Sequence, residues 1–240
     1  MDVKIFNTAD EIAVASADIF AQLLLEKPAC VLGFATGASP VKTYRELIRR
    51  FKNGELSFSQ VTSFNLDEYC DLPRNDKNSY YTFIHENLFN SIDIKENNIH
   101  ILNGNAEDAA AEAENYDRMI DNCGGIDIQL LGIGTNGHIG FNEPSEKFSE
   151  GTFKVKLSDS TIKSNSIYFS DGNMPKYALT MGIELIMKAR KIVLIATGKA
   201  KAAAIKSAVY GEITPGCPAS VLQKHNDAVF LIDKEAAALL

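Results

Sequence analysis

Short apolar runs alternate with longer stretches of helical period along the whole chain. The runs are rich in Val, Ile, Leu and Phe and lie at residues 4–6, 30–35, 61–66, 99–101, 126–132, 153–157, 191–196 and 228–232. Several of them contain too few polar positions to be strands with one exposed face. They predict short β-strands in a sheet that is covered on both faces.

The stretches between these runs have the spacing of amphipathic helices. Apolar residues three or four positions apart occur at Ile12, Ala15, Ile19 and Leu23, and again at Val41, Tyr44, Leu47, Ile48 and Phe51. No internal repeat, low-complexity tract or linker divides the chain. The alternation predicts an α/β fold, with a doubly wound, mostly parallel sheet and helices on both faces, in one Rossmann-like domain over residues 1–240.

Composition narrows the class of protein. The 240 residues are 45% hydrophobic, and 24 basic against 31 acidic residues give a formal charge of -7, which disfavours nucleic acid or an anionic membrane as the main partner. The four cysteines lack metal-site spacing, and no window of about 18 apolar residues or leader-like N-terminus occurs. We therefore expect a cytoplasmic protein that binds neither nucleic acid nor membrane.

The turn at residues 33–40 has the features of a phosphate cradle. In open parallel sheets, ligands bind beyond the carboxyl ends of the strands. This turn joins a strand to a helix and contains two glycines, two hydroxyls and Pro40 at the helix start. Unpaired N–H groups and the positive end of the dipole suit an anion there. An ordinary capped βα turn is an equally good interpretation of these residues alone.

A second candidate lies at residues 197–201, where Thr-Gly-Lys-Ala-Lys follows the strand at 191–196 and opens another helix. Lysines near a helix start oppose the helix dipole. Such lysines are more often simply solvated, but their unfavourable position relative to the dipole favours a role in binding a ligand. Two adjacent helix starts would then hold one phosphate.

Residues 132–137 match the dinucleotide pattern G-x-G-x-x-G and follow a strand. That pattern requires a helix immediately after the glycines. Here residues 138–144 read His-Ile-Gly-Phe-Asn-Glu-Pro, with a proline and no helical period. The context therefore disfavours a nicotinamide or flavin site.

Three side chains at strand ends are candidates for proton transfer. His138 and Glu143 lie five residues apart in a glycine-rich loop, and Asp67 follows the strand at 61–66. An imidazole can exchange protons with sugar oxygens near neutral pH, and a carboxylate in a pocket can move a proton between adjacent carbons. A structural histidine and a solvated pair of Asp67 with Glu68 are the alternatives.

Taken in order along the chain, these segments resemble the glucosamine-6-phosphate deaminase/isomerase family. The segments that carry the resemblance are residues 33–40, 65–69, 78–81, 103–105, 132–144, 175–182 and 218–220. No single motif is specific, but the ordered set extends nearly from end to end. The resemblance implies conversion of glucosamine 6-phosphate and water to fructose 6-phosphate and ammonia, without a metal or organic cofactor.

The resemblance also implies roles for individual residues. Asp67 would be the base of the enolisation step, His138 would open the sugar ring and Glu143 would assist it, with Asn136 beside them. The positions that match the family's phosphate-binding residues are Thr36, Gly37, Ala38, Ser39 and Lys201. A lid segment would lie around residues 150–180.

Two departures from the family pattern qualify this picture. Asn136 stands where many members have an aspartate, which leaves His138 a hydrogen-bonding neighbour without a charge. Ile167 stands where the family usually has a phosphate-contacting arginine, whose charge-assisted hydrogen bond is worth roughly 1.5–3 kcal/mol. Weaker substrate binding or a different sugar phosphate would follow from this second change.

The alternatives within enzymes are a galactosamine-6-phosphate deaminase/isomerase and a 6-phosphogluconolactonase. Outside enzymes, a non-catalytic sugar-phosphate sensor fits the same fold. No DNA-reading helix-turn-helix segment or basic stripe supports the sensor, and Asp67, His138 and Glu143 are all retained. The sequence leaves the sugar epimer and the choice between monomer and homo-oligomer open.

Overall fold

The computed structural model describes residues 1–166, 169 and 174–240. Seven strands of the main sheet are β1 (Asp2–Phe6), β2 (Val31–Phe34), β3 (Thr62–Asn65), β5 (Ile99–His100), β6 (Ile128–Leu131), β9 (Lys191–Ala196) and β10 (Ala228–Asp233). Three further strands, β4 (Asp67–Tyr69), β7 (Phe153–Lys156) and β8 (Tyr177–Thr180), form a second sheet. The helices are α1 (Ala9–Glu26), α2 (Val41–Lys52), α3 (Tyr80–Asn87), α4 (Ala109–Asn122), α5 (Asp159–Asn165), α6 (Ile183–Met187) and α7 (Ala202–Tyr210).

The main sheet is parallel throughout, in the order β1-β10-β9-β6-β2-β3-β5. After β2 the chain moves outward on one side, to β3 and β5. It then returns to the other side of β2 as β6 and continues outward to β9 and β10. The strand order therefore reverses between β2 and β6, which is the switch point where doubly wound sheets open a crevice for ligands.

Helices cover both faces of this sheet. On one face, buried residues of α1, α2 and α3, such as Phe20, Tyr44 and Ile84, pack on Leu32 and Leu130. Residues of α4, α6 and α7 pack on the opposite face, in a second cluster around Phe64 and Leu194. The α/β, doubly wound fold predicted from the alternating pattern is therefore confirmed. No helix in the described part of the chain has the length and hydropathy needed to cross a membrane.

The small sheet is antiparallel, in the order β4-β8-β7. In it Asp67 is paired with Thr180, and Phe153 is paired with the same residue from the other side. The predicted strand at 153–157 is thus present but lies outside the parallel sheet. The segment that begins at Asp67 was predicted as a turn. In the structure Asp67 is the first residue of β4, the strand by which the chain passes from the main sheet into the small one.

Candidate active site

A polar cavity of about 300 Å³ lies at the switch point. One wall is the turn after β2, a second is the loop after β6, and β4 and α5 contribute from the small sheet's side. Seven of the nine site residues predicted from the sequence line this cavity, namely Thr36, Gly37, Ala38, Ser39, Asp67, His138 and Lys201. The other two, Asn136 and Glu143, lie behind His138.

The turn after β2 has the shape that an anion site requires. Gly37 adopts φ of +89°, in the left-handed region that glycine tolerates best, and Pro40 is the N-cap residue of α2. The hydroxyl of Tyr44, one turn into α2, donates to the carbonyl of Ala35 and so fixes the helix to the end of β2. Ser39 lies beside Gly132, so the turns after β2 and β6 are neighbours.

Lys201 reaches the same cavity from the turn after β9. A short 3-10 helix at Lys199–Lys201 precedes α7, and the N–H of Gly198 donates to both carboxylate oxygens of Asp233, at 2.9 and 3.1 Å. Burial lowers the pKa of the Lys201 ammonium below its usual range. A partly desolvated cation attracts an anionic ligand more strongly than one in bulk water.

Asp67 is buried, with 5% of its surface exposed. Burial, followed by the repulsion of neighbouring Glu68, raises the pKa of the Asp67 carboxyl from 3.8 to about 8. None of the described residues donates a hydrogen bond to it. A carboxyl with such a pKa can hold or release a proton near neutral pH, as a general base or acid must.

Glu68, the next residue, has a different environment. Its carboxylate accepts the N–H groups of Tyr69 at 2.8 Å, Tyr80 at 2.9 Å and Tyr81 at 2.8 Å. These bonds anchor the start of α3 to β4 and place Tyr80 in the cavity wall. Burial raises the pKa of the Glu68 carboxyl as well, but these three N–H groups oppose the shift, whereas Asp67 has no such donor among the described residues.

His138, Glu143 and Asn136 form one connected group. Asn136 donates from Nδ2 to Oε2 of Glu143 at 2.7 Å, and Nδ1 of His138 lies 3.4 Å from the same oxygen. Burial opposes the charge on Glu143, but the nearby imidazole of His138 and the hydrogen bonds from Thr161 and Asn136 outweigh it and lower the pKa of Glu143 to about 2. An ionised Glu143 favours the proton on Nδ1 of His138, which leaves Nε2 as the free ring nitrogen.

Gly134 makes room for the imidazole. A Cβ atom at this position would lie 2.2 Å from Cε1 of His138 and 2.3 Å from Nδ1. The N–H of Gly134 also donates to the carbonyl of His138 at 2.8 Å. The second glycine of the G-x-G-x-x-G pattern thus supports the histidine. Residues 132–152 contain no helix, so the helix that a dinucleotide site requires is missing.

Sequence reasoning missed the contribution of α5. Ser158 and Thr161 both donate hydroxyl hydrogen bonds to Oε1 of Glu143, the former at 3.0 Å. Asn165 donates from Nδ2 to the hydroxyl of Tyr69 at 3.0 Å and, like Thr161, lines the cavity. A pattern of hydroxyls on a short polar helix carries no distinctive signal. Ile167 lies outside the described residues, so its effect on phosphate binding stays a prediction.

A second, larger cavity of about 580 Å³ lies behind the Glu143 loop and is more apolar. It contains Glu143 and Phe141 in its wall, but not Asp67, His138 or Lys201. The smaller cavity is the candidate active site because the titratable groups converge there. No cluster of three or more potential metal-ligating side chains occurs in residues 1–166, 169 and 174–240.

The doubly wound fold, with a buried carboxyl, an imidazole and a partly buried lysine at its switch point, defines an α/β enzyme that acts on a small polar substrate. Comparison with known proteins narrows this class. Residues 6–231 match the family described as glucosamine-6-phosphate isomerases/6-phosphogluconolactonase, and the chain belongs to that family. The resemblance noted in the sequence is thereby confirmed.

Close relatives are named glucosamine-6-phosphate deaminases. The one from Lysinibacillus sphaericus (strain C3-41) is 52% identical over 226 residues, which cover 94% of this chain and 95% of the relative. Its counterpart from Clostridium botulinum (strain Kyoto / Type A2) is 47% identical over 241 residues, with 100% of this chain and 99% of the relative covered.

Solved structures agree with these relatives. One, of a monomeric glucosamine-6-phosphate deaminase, is 45% identical and superposes with a TM-score of 0.97 over 100% of both chains. A 6-phosphogluconolactonase from Trypanosoma brucei is 19% identical, with a TM-score of 0.81 over 100% of this chain and 98% of the other. The lactonase shares the fold, and the deaminase shares both fold and sequence.

Proposed function

We propose that this chain is a glucosamine-6-phosphate deaminase, which converts glucosamine 6-phosphate and water to fructose 6-phosphate and ammonia. The observation that carries the proposal is that one cavity brings together Asp67, His138, Lys201 and the turn at residues 36–39. The identity of 47–52% to enzymes of that name over almost the whole chain supports the substrate.

The phosphate binds between the start of α2 and Lys201 in this proposal. Free N–H groups and the dipole at a helix start favour a dianion, and the hydroxyls of Thr36 and Ser39 add hydrogen bonds. Lys201 supplies the opposing positive charge. The phosphate thereby fixes the sugar so that its reacting carbons lie further along the cavity, toward Asp67 and His138.

His138 opens the ring. Its Nε2 accepts the proton of the anomeric hydroxyl and delivers a proton to the ring oxygen, which breaks the bond between C1 and that oxygen. Glu143 holds the opposite ring nitrogen and offsets the positive charge that the imidazole gains during the transfer. Asn136 keeps Glu143 in place through its 2.7 Å hydrogen bond.

Asp67 then moves a proton from C2 to C1. In its ionised form the Asp67 carboxylate takes the C2 proton, the C2–H electrons form a C1–C2 double bond, and the π electrons of the C1=O bond move to O1, which takes a proton from water. The same carboxyl then returns the proton to C1 while the nitrogen lone pair forms a double bond to C2. The C2 carbon now carries a C=N bond, and water replaces the nitrogen, which leaves as ammonia. The raised pKa of the Asp67 carboxyl suits both halves of this transfer.

The segment at residues 150–180 is the proposed lid of this single domain. It contains β7, α5 and β8, and α5 brings Thr161 and Asn165 to the cavity wall. A cover over the cavity would exclude water while the ring is open.

A coupled assay of ammonia release tests the proposal. Glucosamine 6-phosphate should be the best substrate, ahead of galactosamine 6-phosphate, and Asp67→Asn should remove the activity. Preference for the galacto epimer would reassign the substrate, and hydrolysis of 6-phosphogluconolactone that persists in Asp67→Asn would indicate a lactonase. Binding of glucosamine 6-phosphate by calorimetry without any turnover would indicate a sensor.

A further inference from the structure

The carboxylate of Glu143 is held from two directions. Oε2 contacts Asn136 and His138, both of which belong to the same loop as Glu143. Oε1 accepts hydrogen bonds from Thr161 on α5 and from Ser158, the N-cap residue of that helix. The proposed relay from Glu143 to His138 is therefore completed by a different part of the chain, 15 and 18 residues further along.

The two hydroxyls restrict how the carboxylate turns. Glu143 lies in irregular backbone after β6, and its terminal torsion is intrinsically soft. Thr161 donates to Oε1, and the single hydroxyl proton of Ser158 is within reach of both Oε1, at 3.0 Å, and Oγ1 of Thr161, at 3.1 Å. Rotation of the carboxylate therefore breaks hydrogen bonds to a charged acceptor, which are stronger than neutral ones. Oε2 is thereby kept toward Nδ1 of His138, and the reactive Nε2 keeps one tautomer and one direction.

The Thr161 hydroxyl is not required to start α5. Ser158 is the N-cap residue, and its Oγ already accepts the N–H of Thr161 at 3.2 Å. Thr161 is 3% exposed, so replacement by valine keeps its shape and burial while it removes the hydroxyl, which also lies 3.1 Å from the hydroxyl oxygen of Ser158. Valine and threonine also have similar helix propensities.

From this arrangement we propose that Thr161, with Ser158, is a positioning residue for His138, acting through the carboxylate of Glu143. The inference rests on the proposed function, since it assigns the residues that aim the ring-opening base. Thr161 also lines the cavity, whereas Ser158 does not. A direct contact between Thr161 and the sugar is thus the competing role, and the two roles predict different results.

A double-mutant cycle distinguishes a positioning role of Thr161 from direct contact with the sugar. Thr161→Val should lower kcat for glucosamine 6-phosphate by about tenfold or more, the size expected for a lost hydrogen bond to a charged group, with KM within about twofold. Thr161→Ser should recover most of the rate. In a Glu143→Gln background the same valine substitution should cost less than about twofold, because the carboxylate it acts through is gone.

Two further measurements should change if Thr161 positions His138, but not if Thr161 only stabilises the fold. Thr161→Val should lower the rate of the forward reaction of cyclic glucosamine 6-phosphate more than the rate of the reverse reaction from fructose 6-phosphate and ammonia. The reverse reaction reaches the carbon-centred step before ring closure. The ¹⁵N shifts of the His138 ring should show a mixture of tautomers in the variant and one tautomer in the wild type.

Several results would overturn the inference. One is that Thr161→Val lowers kcat as much in the Glu143→Gln background as in the wild type. The others are that Thr161→Val raises KM and leaves kcat unchanged, or that Thr161→Ser is as slow as Thr161→Val. Ser158→Ala, run through the same cycle, supplies a second test if Thr161→Val does not fold. Failure of the proposed function is separate: the wild type would then release no ammonia from glucosamine 6-phosphate, and the tautomer measurement would still decide the role of Thr161.

Discussion

Asp67→Asn should stabilise the fold while it abolishes activity. The carboxyl is 5% exposed, and burial and Glu68 raise its pKa from 3.8 to about 8. At pH 7 the unfolded chain therefore carries this group ionised, whereas the native protein carries it with a proton. The native state binds more protons than the unfolded state, so this group makes stability fall as pH rises from about 4 to 8.

The magnitude follows from the same pKa values. Between pH 3.8 and pH 7 the cost grows by about 1.4 kcal/mol per pH unit, which sets an upper bound of about 4 kcal/mol. Asparagine removes this cost but leaves a buried amide, which itself costs about 1–3 kcal/mol. We therefore expect a net gain of at most about 1–3 kcal/mol at pH 7, or a rise in Tm of about 2–12 °C for a chain of this length.

Thermal denaturation of both proteins from pH 4 to pH 8 measures the effect. The gain should be largest near pH 8 and disappear near pH 4, where the pH is close to the unfolded-state pKa of 3.8 and the proton-binding difference between the two states has had almost no pH range over which to add up. Asp121→Asn, at an exposed position on α4, is the matched control and should change Tm by little at any pH. A variant that is no more stable than the wild type at pH 7, or a gain that persists at pH 4, would refute the assigned burial cost.

Three other predictions address the remaining parts of the site. His138→Gln should reduce turnover of the cyclic sugar by at least about a hundredfold and the reverse reaction from fructose 6-phosphate by much less, and equal losses would exclude a ring-opening role. Lys201→Ala should raise KM for glucosamine 6-phosphate by about ten- to 150-fold, and an unchanged KM would place the phosphate elsewhere. Gly134→Ala should lower kcat by at least about tenfold because the added methyl group displaces the imidazole. Gly132→Ala is the control: its methyl group would meet no atom closer than 3.8 Å, so kcat should fall far less. A larger loss of kcat in Gly132→Ala than in Gly134→Ala would contradict this geometry.

Much of the main sheet could be predicted from local pattern. The apolar runs at residues 191–196 and 228–232 are strands β9 and β10 in the structure, and the turn after β2 starts a helix as its glycines and proline indicated. Such features depend on the period of side chains along the chain and on the torsions that Gly and Pro allow, which neighbouring residues encode.

The small sheet was not predictable in the same way. Strand β4 is three residues long and begins with two acids, so its pattern looks like a solvated turn. Its partner β8 is more than a hundred residues away, and Asp67 pairs with Thr180. The buried environment of Asp67 depends on such long-range packing, and burial, with the neighbouring Glu68, raises the pKa of its carboxyl to about 8.

The sequence by itself determined the alternation of strands and helices, the family resemblance and the residue types available for chemistry. Tertiary structure alone decided the strand order that places the turns after β2, β6 and β9 around one cavity. It also decided the hydrogen bonds from Ser158 and Thr161 to Glu143. The physical reason is that periodicity and turn preference are local properties of the chain, whereas burial, hydrogen-bond partners and pKa values depend on which distant segments pack together.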